Sequence, residues 1–204
     1  MKSFEMDYLV LVNKENRIPD RWEENLETVC FINSQDEEVE VEKCAYEHYL
    51  KLKEALEKEG ILIDLDSAWR SVSLQQEIKE RFLEEAGEDY VQRFVAVPGF
   101  SEHHTGLALD LYLNIDGNAE YYNEEMTQYA GMWKAIHDKL AGYGFIVRYP
   151  EGKESITGYS YEPWHIRYVG SADTAKEIMI KGITLEEYLN RLPVTDVTPP
   201  SEYS

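Results

Sequence analysis

The sequence is poor in cysteine, in basic residues and in long apolar runs, and each shortage removes a class of protein. Its two cysteines, Cys30 and Cys44, are too few for a disulfide framework and do not form the close pairs of a structural zinc site. They are expected to be buried thiols or a single optional bridge. Lysine and arginine together number 20 against 40 aspartates and glutamates, a net charge of −20. Such a chain is repelled by phosphate backbones and anionic membranes, so no nucleic-acid partner is expected. The apolar run Tyr8 to Val12 is far too short to span a bilayer, and no stable membrane insertion is expected. Met1 to Asp7 carries acids where a secretion signal has a basic region, which predicts a cytoplasmic protein. The alternative is an extracellular or cell-wall location, if the chain is trimmed from an exported protein.

Internal repeats and Pro/Ser-rich linkers are also missing, which predicts one domain over residues 1–192 followed by a disordered tail, 193–204. A chain of 204 residues buries roughly 70% of its unfolded surface, enough for a core with an internal cleft. Tyr8–Val12 reads as a strand, and residues 20–41 carry no firm signal. Ala45, Tyr49, Leu52 and Leu56 recur with helical spacing over 41–59, ahead of a capping Gly60. A strand at 61–65 and a helix from Ser73 to Ala86, stopped by Gly87, come next. Phe94 to Leu113 reads as a strand, a Pro98-Gly99 turn and a second strand. Met126, Ala130, Trp133 and Leu140 mark a third helix; 145–149 and 164–169 are strands around a glycine-containing turn region, 151–160. Ser171 and Thr184 cap two last helices, and Thr184 with Glu187 fits a capping box. The expected fold is α+β: a single domain with a small, mainly antiparallel sheet flanked by helices.

Two clusters carry the chemistry. In Ser101-Glu102-His103-His104-Thr105-Gly106-Leu107-Ala108-Leu109-Asp110, His103 and Asp110 can converge if the chain turns at Gly106 into a strand. Strand alternation then puts Leu107, Leu109 and Leu111 on the core face and Ala108 and Asp110 on the other. A carboxylate among those leucines needs a partner, because burying it unpaired is costly. In Tyr161-Glu162-Pro163-Trp164-His165-Ile166-Arg167-Tyr168, Pro163 biases Glu162 toward extended geometry. His165 could be a third ligand, with Glu162 beside the site. Two imidazoles, one carboxylate and an open fourth position suit catalytic zinc. On the residues alone, a structural reading of each histidine stands beside the metal reading. His48 and His137 lie in helical stretches and read as surface or packing residues.

The first cluster resembles the Ser-x-His-x-x-Gly-x-Ala-x-Asp pattern of zinc D,D-carboxypeptidases and D,D-dipeptidases of the VanY and VanX type. The second resembles that family's Glu-Pro-Trp-His-x-Arg-Tyr-Val-Gly motif. Leu11-Val12-Asn13-Lys14, Arg70-Ser71 with Gln75, Phe94 to Gly99 and Tyr143 to Pro150 are similar to further family segments, so about 160 residues, 8–170, are covered. The nearest likeness is to the cytoplasmic bifunctional VanXY type.

The resemblance implies one Zn²⁺ per chain, in a cleft on the sheet, held by His103, Asp110 and His165. Glu162 is then the general base and Arg70 the cation that stabilises the oxyanion. Ser101, Gln75, Ser71 and His104 are the implied substrate contacts, with His104 equally readable as a polar rim residue. The implied reaction is hydrolysis of the terminal bond of D-Ala-D-Ala-ending wall precursors or of the dipeptide. The implied partner is therefore a small peptide ending in D-alanine. Departures from the family lie at Ala68-Trp69, Val72 and His104, which puts substrate preference in question and leaves the catalytic set complete. The alternatives are an L,D-carboxypeptidase acting on tetrapeptides and a zinc-holding wall-peptide binding module without hydrolysis. The Tyr121-Tyr122 loop could cover the cleft or be plainly exposed.

Overall fold

The structure, a computed structural model, describes residues 6–120 and 129–192. The Tyr121-Tyr122 loop, Met126 and the expected tail lie outside the described residues. A hairpin of β1 (Thr28–Ile32) and β2 (Glu38–Glu42) leads into α1 (Lys43–Glu57). β3 (Ile63–Ser67) and α2 (Val72–Phe94) follow, then β4 (Ala108–Ile115), β5 (Asn118–Glu120) and α3 (Ala130–Leu140). The chain ends with β6 (Phe145–Val147), α4 (Glu154–Thr157), β7 (His165–Tyr168), α5 (Ala172–Lys181) and α6 (Leu185–Leu189). The main sheet has the order β3-β4-β7-β6, with β5 also paired to β4, and every pairing is antiparallel. This is the expected α+β class.

Alternation along β4 decides what each face does. Leu107, Leu109, Leu111 and Leu113 are fully buried in one core with Ala45, Tyr49, Leu52 and Leu56 of α1 and Trp133, Ile136 and Leu140 of α3. A smaller core under α5 and α6 gathers Ile146, Val169, Ala175, Ile178 and Leu185. The Thr184–Glu187 capping box forms as expected. Among the described residues no helix is long and apolar enough to cross a membrane.

Several expectations need correction. Tyr8–Val12 is not a strand; Val10 and Val12 are buried in the core, and the Tyr8 and Val10 carbonyls accept from Arg167 Nη2, each at 2.9 Å. A guanidinium thus satisfies carbonyls that a ladder would otherwise take up. The β1–β2 hairpin went unassigned, although Glu38-Val39-Glu40-Val41-Glu42 alternates; its second strand takes up Val41 and Glu42, so α1 starts later than expected. Phe94–Val97 is not a strand either, because α2 continues past Gly87 to Phe94. Both cysteines are free; Cys30 is exposed and Cys44 half-buried, so neither a deeply buried thiol nor a bridge is present.

Gly106 joins a 3-10 turn, Glu102–Thr105, to β4 with φ 73°. A Cβ there would lie 3.1 Å from Glu42 Cβ and 3.3 Å from its backbone nitrogen. Gly106→Ala should therefore lower stability by about 1–3 kcal/mol, read by urea unfolding. A midpoint equal to the wild-type value would contradict this account of the turn.

Candidate active site

The β4–β7 register sets Asp110 directly opposite His165 and Ala108 opposite Arg167. The 3-10 turn before Gly106 brings in His103, and Arg70 approaches from the chain just beyond β3. Glu162 is held in the segment leading to β7 by its N–H, which donates to the Tyr149 carbonyl at 3.1 Å. His137 Nε2 lies 2.9 Å from the Pro163 carbonyl, so this half-buried histidine steadies the same segment as a packing residue. Five side chains, Arg70, His103, Asp110, Glu162 and His165, thus meet on the sheet face opposite the leucines.

His103, Asp110 and His165 are buried, and one donor atom from each lies within 4.8 Å of the others. Their outer hydrogen bonds fix which atoms face inward. His103 Nδ1 is 2.6 Å from the Ala68 carbonyl, which can only accept, so Nδ1 carries the proton and Nε2 is bare in the neutral ring. That Nε2 faces Asp110 Oδ2 at 3.1 Å. His165 Nε2 is 3.3 Å from the Glu102 carboxylate, and Nδ1 faces Asp110 Oδ1 at 2.9 Å. With both rings neutral, three acceptors converge, a set that can hold a cation. Two nitrogens and one carboxylate oxygen, each oriented by an outer partner, are a donor set that fits Zn²⁺.

In the metal-free protein a proton fills that place unevenly. Burial opposes a charge on His165, but Asp110 and Glu102 push its pKa up to about 9. Burial and the neighbouring Arg70 outweigh Asp110 at His103 and bring it down to about 4. Burial acts against the charge of Asp110 too, yet the two histidines hold its carboxyl well below the usual carboxylate range. Glu162 is different: burial pushes its pKa up to about 8, His165 offsetting only part. Its carboxylate sits 3.8 Å from His165 Nδ1, beside the donors.

Four of the residues organising this site, Glu102, Arg148, Arg167 and Glu186, were not anticipated as such. Glu102 is completely buried and accepts from Arg148 Nε at 2.7 Å and Arg167 Nη1 at 2.5 Å while facing His165 Nε2. Arg148 in turn makes two bonds to Glu186, at 3.0 and 2.6 Å. Burial raises the cost of charging Glu102, but Arg148, Arg167 and His165 outweigh it and keep it ionised. The available signal was local: an acid beside a candidate ligand, and two arginines in otherwise apolar strands.

The implied substrate contacts divide. Ser101 and Gln75 line the cavity over the donors, but both Gln75 polar atoms are engaged, Oε1 accepting from Arg70 at 3.2 Å and Nε2 donating to the Ala96 carbonyl at 3.0 Å. Arg70 also bonds Ser67 and, at 2.7 Å, Asp110 Oδ2, so its guanidinium is fixed at the cavity wall. Ser71 and His104 lie outside the lining. Ser71 caps α2, and His104 accepts from Gly99 N–H and bonds the Arg70 carbonyl, which positions both segments. Tyr159, not anticipated, lines the cavity with a buried hydroxyl that has no hydrogen-bond partner among the described residues.

A family model described as VanY, D-alanyl-D-alanine carboxypeptidase, matches residues 38–171. The chain belongs to that family. It is 36% identical over 191 residues to a D-alanyl-D-alanine carboxypeptidase of Enterococcus faecalis, covering 89% of this chain and 65% of that protein. It is 34% identical over 190 residues to the bifunctional D-Ala-D-Ala dipeptidase and carboxypeptidase VanXYC of Enterococcus gallinarum, covering 93% and 97%. The chain thus spans somewhat under two thirds of the first relative and nearly all of the second. The crystal structure of the vancomycin-resistance D,D-pentapeptidase VanY from a VanB-type cassette, in complex with Zn(II), superposes with a TM-score of 0.75. That match is 33% identical and covers 91% of this chain and all of that one.

Glu102→Gln should weaken zinc binding roughly 10- to 100-fold by loosening His165. The same change should lower stability by about 3–5 kcal/mol, since two buried arginines lose their shared anion. Chelator competition and urea unfolding read the two effects. Wild-type zinc affinity in the variant would remove Glu102 from the positioning of His165.

Proposed function

We propose that this chain is a zinc D,D-peptidase that hydrolyses the terminal peptide bond of substrates ending in D-Ala-D-Ala, releasing D-alanine. The observation that carries the reading is a buried carboxylate, Glu162, beside three inward-facing donors at the floor of an open cavity. His103, Asp110 and His165 hold the metal. When bound, Zn²⁺ supplies Lewis-acid chemistry, polarising the peptide carbonyl and making water nucleophilic near neutral pH.

The chain's own groups do the remaining work. Glu162 takes a proton from the attacking water and returns it to the departing amine of D-alanine, so the C–N bond breaks as a neutral amine leaves. Its raised pKa in the metal-free protein reflects burial, and a nearby divalent cation favours the ionised form the base requires. Arg70 keeps a fixed positive charge at the cavity wall, suited to the negative charge that develops on the carbonyl oxygen. Ser101 and the Tyr159 hydroxyl present polar groups to the peptide.

The test is D-alanine release from a D-Ala-D-Ala-ending peptide, with and without chelator, alongside Glu162→Gln. The variant should keep one zinc per chain while kcat falls by about 10²–10⁴. Turnover at the wild-type rate would remove Glu162 as the base. Release from a tetrapeptide with an L-centre before the terminal D-alanine, and from no D,D substrate, would replace this reading with the L,D-carboxypeptidase one.

A further inference from the structure

Gly87 interrupts α2 without ending it. Its φ of 82° and ψ of 176° lie in a region of backbone space that residues bearing a Cβ essentially never occupy. An added Cβ would meet nothing within 4 Å, so conformation and not space is what requires glycine. Ile78 and Phe82 precede the break, Tyr90 and Phe94 follow it, and all four line the cavity over the metal donors. In an unbroken helix of about 3.6 residues per turn, Tyr90 would be rotated by about 80° and Phe94 by about 120° from Phe82. Those two rings would then leave the cavity face. Instead the Phe82 and Tyr90 rings stack with centroids 5.4 Å apart, and Tyr90 and Phe94 lie 4.9 Å apart.

The break therefore resets the helical phase and joins two short faces into one aromatic wall. Only Gln75 and Val91 of α2 are buried, so little of this helix serves the core. Charge along the cavity is one-sided. Among the described residues its lining carboxylates are Glu102, Asp110 and Glu162, all gathered at the metal end. A free ammonium group lying against the aromatic wall would meet no carboxylate of its own.

We propose that the Gly87 break is a specificity determinant, shaping α2 into a wall that receives the uncharged acyl side of a longer peptide. A free dipeptide, which carries an ammonium group there, is the poorer substrate. This inference rests on the D,D-peptidase reading.

The experiment compares D-alanine release from Nα,Nε-diacetyl-L-Lys-D-Ala-D-Ala, whose acyl side is uncharged, and from D-Ala-D-Ala by zinc-loaded wild type, Gly87→Ala and Phe82→Ala. Wild-type kcat/KM should favour the acylated peptide by at least about tenfold, and each variant should raise KM for that peptide by about tenfold with kcat within about twofold. Zinc content should stay at one per chain. A dipeptide handled as well as the acylated peptide would overturn the proposal. So would an unmoved KM in both variants while wild-type release is normal, and that result would leave the peptidase reading standing. No release from either peptide by the wild type would end both. If Gly87→Ala fails to fold, Phe82→Ala decides alone, an unchanged KM overturning the wall.

Discussion

Asp110 stands opposite His165 in an antiparallel register, and His103 closes on the same carboxylate from a 3-10 turn. In the neutral form each imidazole keeps its proton on the outer nitrogen, which donates to a partner that can only accept: the Ala68 carbonyl for His103, the Glu102 carboxylate for His165. The atoms left facing inward are acceptors, and a buried set of facing acceptors can hold a cation. The rest of the site depends on that arrangement. Arg70 brings a positive charge to the set by donating to Asp110 Oδ2, the oxygen that also faces His103 Nε2, and Glu162 stays near enough to feel the cluster but outside it.

Holding this geometry takes a second layer of charge. Glu102, Arg148, Arg167 and Glu186 are buried together, two anions against two cations. Such a network adds little net stability compared with an apolar core, but losing one member leaves a buried charge unmatched. Its consequence is directional: Glu102 orients His165, and Arg167 ties the Tyr8–Val12 segment to β7. The sheet places the three inward-facing groups, and the ion-pair network keeps them aimed.

Which side chains face the core and which face the cavity was legible along β4 because strands alternate. Leu107, Leu109 and Leu111 could share the core face only if Asp110 took the other, and the structure arranges them so. Pro163 marked Glu162 as non-helical for an equally local reason. The supporting network was not legible, since nothing local links Glu102 to Arg148 or Glu186; their meeting is a product of the fold. The Tyr8–Val12 run has strand-like composition, but its carbonyls bind a side chain 157 or more residues away. Gly87 reads as a stop, because single-residue logic cannot see helical geometry resuming beyond it. Ser71 and His104 sit beside site residues in sequence, yet their bonds turn them toward the scaffold.

The central claim is that three facing acceptors form one metal site whose anion is Asp110. Calorimetric titration of chelator-stripped protein with Zn²⁺ tests it most directly, comparing wild type with Asp110→Asn, which keeps the side chain's size and removes its charge. The account predicts one equivalent bound by the wild type and at least a hundredfold weaker binding by the folded variant. Equal affinity in the two proteins, or no stoichiometric site in the wild type, would contradict it.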